Sequence, residues 1–149
     1  VVHWSLPLTS LVKTNIGASF SLAQRKGCSR VIIRDEHGQI MGACSCLTFQ
    51  LPIAFVAKAL AVVHGLRFAL EMGFLSVILE SDSRLVIQKL TASSKDLSEI
   101  SALIWEAKEF SKLFVDYRQE ALIWGIYRYL YFPNFSPLVF CSPSIRCFT

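Results

Sequence analysis

One continuous helix–strand–turn segment constrains the fold of this chain more than any other part of the sequence. It opens with apolar residues at helical spacing over Ala54–Met72, and Gly73 follows as a helix terminator. Val77–Glu80 is a short apolar run typical of a buried strand, and Asp82 or Ser83 can cap the helix that comes next. In an α/β fold, an Asp at the carboxyl end of a central strand lies where ligands and metals usually bind.

The rest of the chain supplies the remaining strands and helices of such a fold. Further strands are expected at Val12–Phe20, Val31–Arg34, Gln39–Phe49 and Phe114–Tyr117, and further helices at Ser83–Leu90 and Ser94–Leu113. The second and third strands flank the turn Asp35–Gly38 and should form a hairpin. Three hairpin-type strands followed by helix, strand, helices and strand predict an α/β fold with a five-stranded mixed sheet flanked by helices.

Composition excludes several classes of protein. A chain of 149 residues with 53% hydrophobic and 17% charged residues is far from disorder and fits one domain. It has no apolar run of the roughly 18 residues that a membrane span needs, so no membrane partner is expected. Five cysteines without C-x-x-C spacing, and three scattered histidines, argue against zinc. They favour packing thiols in a reducing intracellular compartment, the nucleus or cytoplasm. The chain begins at Val1, so a fragment is one interpretation.

Positive charge is concentrated in the first quarter of the chain. The net charge is +4, and no acidic residue precedes Asp35. Candidate contacts to nucleic-acid phosphates are Arg25, Lys26, Arg30 and Arg34. The alternative is that these residues form a solvated basic edge of an apolar domain.

A series of ordered motifs resembles one known family. The matching segments are Trp4 with Pro7, Lys13-Thr14-Asn15-Ile16-Gly17-Ala18, Ile32-Ile33-Arg34-Asp35 with Gly38, Ala57-Lys58-Ala59-Leu60-Ala61, and Glu80-Ser81-Asp82-Ser83. Together they resemble the type 1 ribonuclease H superfamily, in the reverse-transcriptase-like form found in plant retroelement-derived proteins. The resemblance covers Trp4 to about Glu120. It implies an RNase H-like fold and a nucleic-acid partner, either an RNA–DNA hybrid or RNA.

In that family, the resemblance implies cleavage of the RNA strand of a hybrid by two Mg²⁺ ions held by four carboxylates. Carried over to this chain, the first-strand carboxylate falls at Gly17 or is deleted just before it. The helix carboxylate falls at Lys58, and the fourth-strand carboxylate is kept as Asp82. The last should follow the segment Arg118–Ala121, where the family pattern stops. One of four remains, so we expect that Mg²⁺ is not bound and that the domain is inactive.

The residues around this degenerate site allow alternatives. Lys58 would repel metal ions, and it either pairs with Asp82 or points to solvent. Asp82 is accordingly expected to be a helix N-cap or ion-pair residue rather than a residual metal ligand. Glu80 could share its face but is not expected to be a ligand, since that position is not catalytic in the family. His64 is expected to be a packed, neutral histidine rather than a base.

The domain organisation follows from these observations. Residues 1–11 are expected to be a lead-in, and residues 12–121 an RNase H-like domain whose last helix is lost or replaced. Residues 122–149 form an atypical tail with eight aromatic residues and no Asp or Glu. The tail is either a docking segment or the product of a frameshift or unspliced region. The predicted function is nucleic-acid binding by a catalytically degenerate domain. A protein-interaction domain or a functionless retroelement remnant are the alternatives.

Overall fold

The computed structural model describes residues 11–121. Five strands and three helices follow one another as β1 (Val12–Ser21), β2 (Lys26–Arg34), β3 (Ile40–Thr48), α1 (Ala54–Glu71), β4 (Ser76–Ser81), α2 (Arg84–Thr91), α3 (Ser101–Ser111) and β5 (Asp116–Ala121). The expected lead-in, apart from Leu11, and the expected tail at 122–149 lie outside the described residues. So do the motif residues Trp4 and Pro7.

The strands form one mixed sheet in the order β3-β2-β1-β4-β5. The first three strands make antiparallel pairs, as expected for two successive hairpins. β4 pairs parallel to β1 on one side and to β5 on the other, so the sheet is parallel in its second half. The predicted five-stranded α/β architecture is confirmed.

Three elements begin two or more residues away from their predicted first residue. β2 begins at Lys26 rather than Val31, because its polar first half pairs with the end of β1 in a long hairpin. α3 begins at Ser101 rather than Ser94. The segment before it is held in a turn in which the Asp96 carboxylate accepts hydrogen bonds from Ser98 Oγ at 2.6 Å and Lys89 Nζ at 2.7 Å. β5 begins at Asp116 rather than Phe114, where its pairing with β4 starts.

The core lies between α1 and one face of the sheet. Gly65, in the middle of α1, packs directly over Ile16 of β1, and a Cβ atom at position 65 would lie 2.8 Å from Ile16 Cγ1. The close approach explains why a glycine is tolerated inside this helix despite its cost in helix stability. α3 packs beside α1, where Arg67 and Glu106 form an ion pair at 3.1 Å. None of the helices in residues 11–121 has the length and apolar character that a membrane crossing requires.

Candidate functional site

Three residues mark the end of the sheet where the family places its carboxylates. β1 and β4 run parallel, and Ile16 pairs with Ser81 at the last registered position. The next residues along the two strands are therefore Gly17 and Asp82. Lys58, in the first half of α1, acts electrostatically on Asp82. These are the three positions that the sequence motifs had singled out.

Asp82 is a half-buried carboxylate that forms no ion pair with any cation of residues 11–121. Burial raises its pKa above the usual range, while the charge of Lys58 and hydrogen bonds from the backbone of Asp82 and Ser83 act in the opposite direction. It is not the helix cap, because Ser83 is the N-cap of α2 and its Oγ accepts a hydrogen bond from Val86 N at 3.4 Å. Of the interpretations given for Asp82, the N-cap is therefore wrong, and its interaction with Lys58 is a longer-range attraction.

Lys58 is half-buried rather than fully exposed, and its charge reaches the carboxylate of Asp82. The interpretation of Lys58 as a surface lysine directed to solvent stays a prediction. The two side chains do not form a direct ion pair among the described contacts, but the positive charge of Lys58 acts to lower the pKa of Asp82. A cation therefore occupies the helix position at which the family carries a carboxylate.

The donor atoms at this end of the sheet do not fit a two-metal centre. Mg²⁺ prefers several oxygen ligands in octahedral geometry, and two such ions need a cluster of carboxylates to balance their charge. Gly17 offers no side-chain oxygen, Lys58 is cationic, and Asp82 alone supplies a carboxylate. Within residues 11–121, no three His, Cys, Asp or Glu side chains converge in a way that could hold a metal ion.

Glu80 is engaged in a buried polar network that sequence reasoning missed. Its Oε1 lies 2.7 Å from Lys13 Nζ, and its Oε2 accepts a hydrogen bond from Asn15 Nδ2 at 2.6 Å. Burial raises the pKa of Glu80, opposed by the bonds to Lys13 and Asn15, and Glu120 on the neighbouring strand raises it further. Because both oxygens are committed, Glu80 is unsuited as a second metal ligand. The Lys-x-Asn spacing of β1 was the available signal, since residues two apart share a face of a strand.

Three of the four predicted phosphate contacts lie in a row on β2. Lys26, Arg30 and Arg34 are spaced by four residues and so share one face of the strand. It is the face of Gly17, because Arg30 lies directly opposite Gly17 in the β1–β2 pairing. Arg25 lies in the turn before β2 with a φ of 49° and is not part of the row. Burial lowers the pKa of the Arg34 guanidinium group, and Arg34 lies close enough to the polar network for the charge of Glu80 to raise this pKa in opposition.

His64 and the strand cysteines belong to the core. His64 Nδ1 lies 2.9 Å from Ser29 Oγ, and its Nε2 lies 4.0 Å from Cys46 Sγ. Burial lowers the pKa of His64 to about 4, assisted by the charge of Arg67. The expectation of a packed, neutral histidine is confirmed. Cys44 and Cys46 are both buried and form no disulfide within residues 11–121, as expected for packing thiols on one strand face.

Comparisons with known proteins agree with this geometry. The family described as reverse transcriptase-like matches residues 15–122. A search of curated protein sequences gave no match. RNase H1 from the halophilic archaeon Halobacterium salinarum NRC-1 superposes with a TM-score of 0.68 at 18% identity, over 75% of this chain and 85% of that one.

Two further structures show the same likeness. The N-terminal RNase H domain of Rv2228c from Mycobacterium tuberculosis gives a TM-score of 0.68 at 14% identity, over 75% of this chain and 81% of that one. LC11-RNase H1 in complex with an RNA/DNA hybrid gives a TM-score of 0.64 at 14% identity, over 74% of this chain and 84% of that one. At these identities the likeness concerns the fold, which is that of RNase H.

Proposed function

The chain belongs to the reverse transcriptase-like family, and on that premise we propose that it is a nucleic-acid-binding domain that has lost hybrid cleavage. Its ligand class is the RNA–DNA hybrid or structured RNA. The binding unit spans residues 12–121, and its setting is a reducing compartment in which the buried thiols stay reduced.

The observation that carries this proposal is the charge reversal at Lys58 beside Asp82. The RNase H family generally uses divalent metal ions held by several carboxylates. Here the half-buried Asp82 faces a lysine, and the neighbouring strand position is Gly17. A lone carboxylate beside an ammonium group cannot compensate the charge of two Mg²⁺ ions, so metal ions are not retained and no metal-activated water is formed.

The same changes favour contact with phosphate groups. Loss of the acid at Gly17 removes a repulsion, and Arg30 lies directly opposite that position on β2. Lys58 adds a second positive charge at the same end of the sheet. A protein with about four such phosphate contacts loses affinity roughly a hundredfold when salt rises from about 50 to 200 mM. One of the RNase H structures of the same fold holds an RNA/DNA hybrid, which makes the hybrid the first ligand to test.

The test measures binding and cleavage of a labelled RNA–DNA hybrid with the full-length chain. We expect no cleavage in Mg²⁺ or Mn²⁺, and an affinity in Mg²⁺ that is no higher than in EDTA, because Mg²⁺ competes for the phosphates; an active RNase H is the positive control. Metal-dependent cleavage that Asp82→Asn abolishes would show that the site is still catalytic. Absence of any salt-sensitive binding would favour a protein-interaction domain or a remnant.

The variant Lys58→Ala tests whether Lys58 contacts a phosphate directly or contributes only to the net positive charge of the domain. If Lys58 contacts a phosphate, the variant should bind the hybrid more weakly and its log–log salt slope should fall by about 1. The matched control is Lys112→Ala, because Lys112 is exposed at the C-cap of α3 and pairs only with Glu109 at 2.7 Å among the described residues. Equal affinities for both variants would remove Lys58 from the binding surface.

A further inference from the structure

A cleft on the outer side of α3 is not used by the site at Asp82. We call it the Trp105 cleft. It has a volume of about 280 Å³ and is lined by Lys95, Asp96, Ser101, Ala102, Ile104, Trp105 and Lys108. It combines one large aromatic side chain with two lysines, and it lies where the loop after α2 meets α3.

Two side chains of this cleft are available to a ligand. Trp105 is 67% exposed, although an aromatic side chain of its size normally gains by burial. Within residues 11–121, the Lys95 ammonium makes no hydrogen bond or ion pair.

The other charged groups of the cleft are already engaged. The Asp96 carboxylate is paired with Lys89, and Lys108 Nζ donates to the Ala92 carbonyl at 2.8 Å. With Asp96 compensated, the cleft presents an aromatic plane flanked by positive charge.

This combination fits a nucleotide. A flat π-face binds a nucleobase by stacking irrespective of base identity, and a nearby ammonium binds the phosphate attached to it. A cationic ligand is disfavoured by the two lysines. Stacking on an exposed Trp also requires a base that is free of a duplex stack, which selects a single-stranded segment over the paired hybrid.

α2 connects the cleft to the site at Asp82. α2 begins two residues after Asp82, and the lining residues Lys95 and Asp96 follow its other end, where Asp96 pairs with Lys89 of α2. Eight residues of helix span about 12 Å, which corresponds to three or four nucleotides of a strand at about 3.4 Å each. One nucleic acid can therefore reach both places.

We propose that the Trp105 cleft binds a single-stranded segment that flanks the hybrid, by stacking a base on Trp105 and pairing its phosphate with Lys95. The inference rests on the proposed nucleic-acid function. It adds to that function a second nucleic-acid contact, which is specific for a single strand and lies outside the site at Asp82.

The test compares a blunt RNA–DNA hybrid with the same hybrid carrying a four-nucleotide overhang, placed at either end. In a Trp4→Phe/Trp124→Phe background, Trp105 is the remaining tryptophan and its fluorescence reports on the cleft. We expect the overhang to quench Trp105 and to tighten binding about tenfold, whereas the blunt hybrid leaves the fluorescence unchanged.

Variants distinguish stacking from a structural role. Trp105→Ala and Lys95→Ala should each abolish the advantage of the overhang without changing affinity for the blunt hybrid or the melting temperature. Trp105→Phe, which keeps an aromatic plane, should retain most of the advantage, and Lys112→Ala all of it. An unquenched Trp105 and an unchanged overhang effect in Trp105→Ala would overturn the inference and leave the proposed function standing. Failure of both hybrids to bind would overturn the two together.

Discussion

At the scale of single residues, Lys13 and Glu80 form the most deeply buried ion pair among the described residues. The two side chains are 5% and 1% exposed. Glu80→Gln removes the carboxylate beside a buried ammonium, and breaking such a pair costs about 3–5 kcal/mol of unfolding free energy. Urea denaturation should show this loss. The double variant Lys13→Met/Glu80→Leu, which removes both charges, should lose much less; an equal loss would show that charge burial is not the cause.

His64 predicts a specific sensitivity to acid. Its pKa is about 4 in the folded chain and about 6.5 when unfolded, so the unfolded state takes up a proton first as pH falls. Stability should decrease between pH 6.5 and 4, by about 3 kcal/mol in total from this residue. His64→Gln should flatten the pH profile in that window. A wild-type profile equally flat would contradict the assignment. Asp82 acts in the opposite sense, because burial raises its pKa and its protonation in acid favours the folded state.

The sequence motifs singled out individual site residues, but they did not reveal which distant residues these contact. Gly17 and Asp82 follow the last paired residues of β1 and β4, and the charge of Lys58 acts on Asp82, while the roles of the three residues stay predictions. The partnership of Glu80 with Lys13 was missed, since 67 residues separate them in sequence. It depends on the parallel register of β1 and β4, which no local pattern encodes.

At the scale of elements, the contact of α1 with β1 gives an unusual expectation for a glycine. Gly→Ala inside a helix ordinarily stabilises by about 1 kcal/mol. In Gly65→Ala the new methyl group would collide with Ile16, and overpacking of this kind costs about 1–3 kcal/mol. The melting temperature should therefore fall. Adding Ile16→Val, which removes the nearest methyl group, should recover part of the loss; stabilisation by Gly65→Ala alone would show that α1 can move away.

The boundaries that could not be predicted have a common physical origin. The first half of β2 is polar, so its strand character comes from pairing with Gly17–Ser21 rather than from apolar alternation. The late start of α3 depends on the Asp96 turn and its bond to Lys89 on α2. By contrast, α1 and β4 follow directly from their apolar spacing. Local periodicity was sufficient to predict the elements that are buried. It was insufficient to predict the first residue of an element when that residue is determined by a neighbouring element.

At the scale of the whole molecule, β3 leaves an open edge to the sheet. It pairs only with β2 in the described sheet, and Ile40, Met41 and Leu47 on this strand are between 38% and 45% exposed. Unprotected apolar edges promote association between chains. Leu47→Lys should lower concentration-dependent light scattering without lowering the unfolding free energy. Leu85→Lys, on α2 away from the edge, is the matched control, and an equal effect of both would point to net charge instead.

The contact between Gly65 and Ile16 also bears on how such a domain evolves. Ile16 is adjacent to Gly17, and Gly65 lies seven residues, or about two helical turns, after Lys58. The packing that aligns α1 with β1 is therefore separate from the side chains that would carry chemistry. Selection for catalysis can lapse without loosening the scaffold, and the backbone positions for an acid at 17 and at 58 persist. The packing of the two elements therefore places no constraint on which side chains occupy positions 17 and 58.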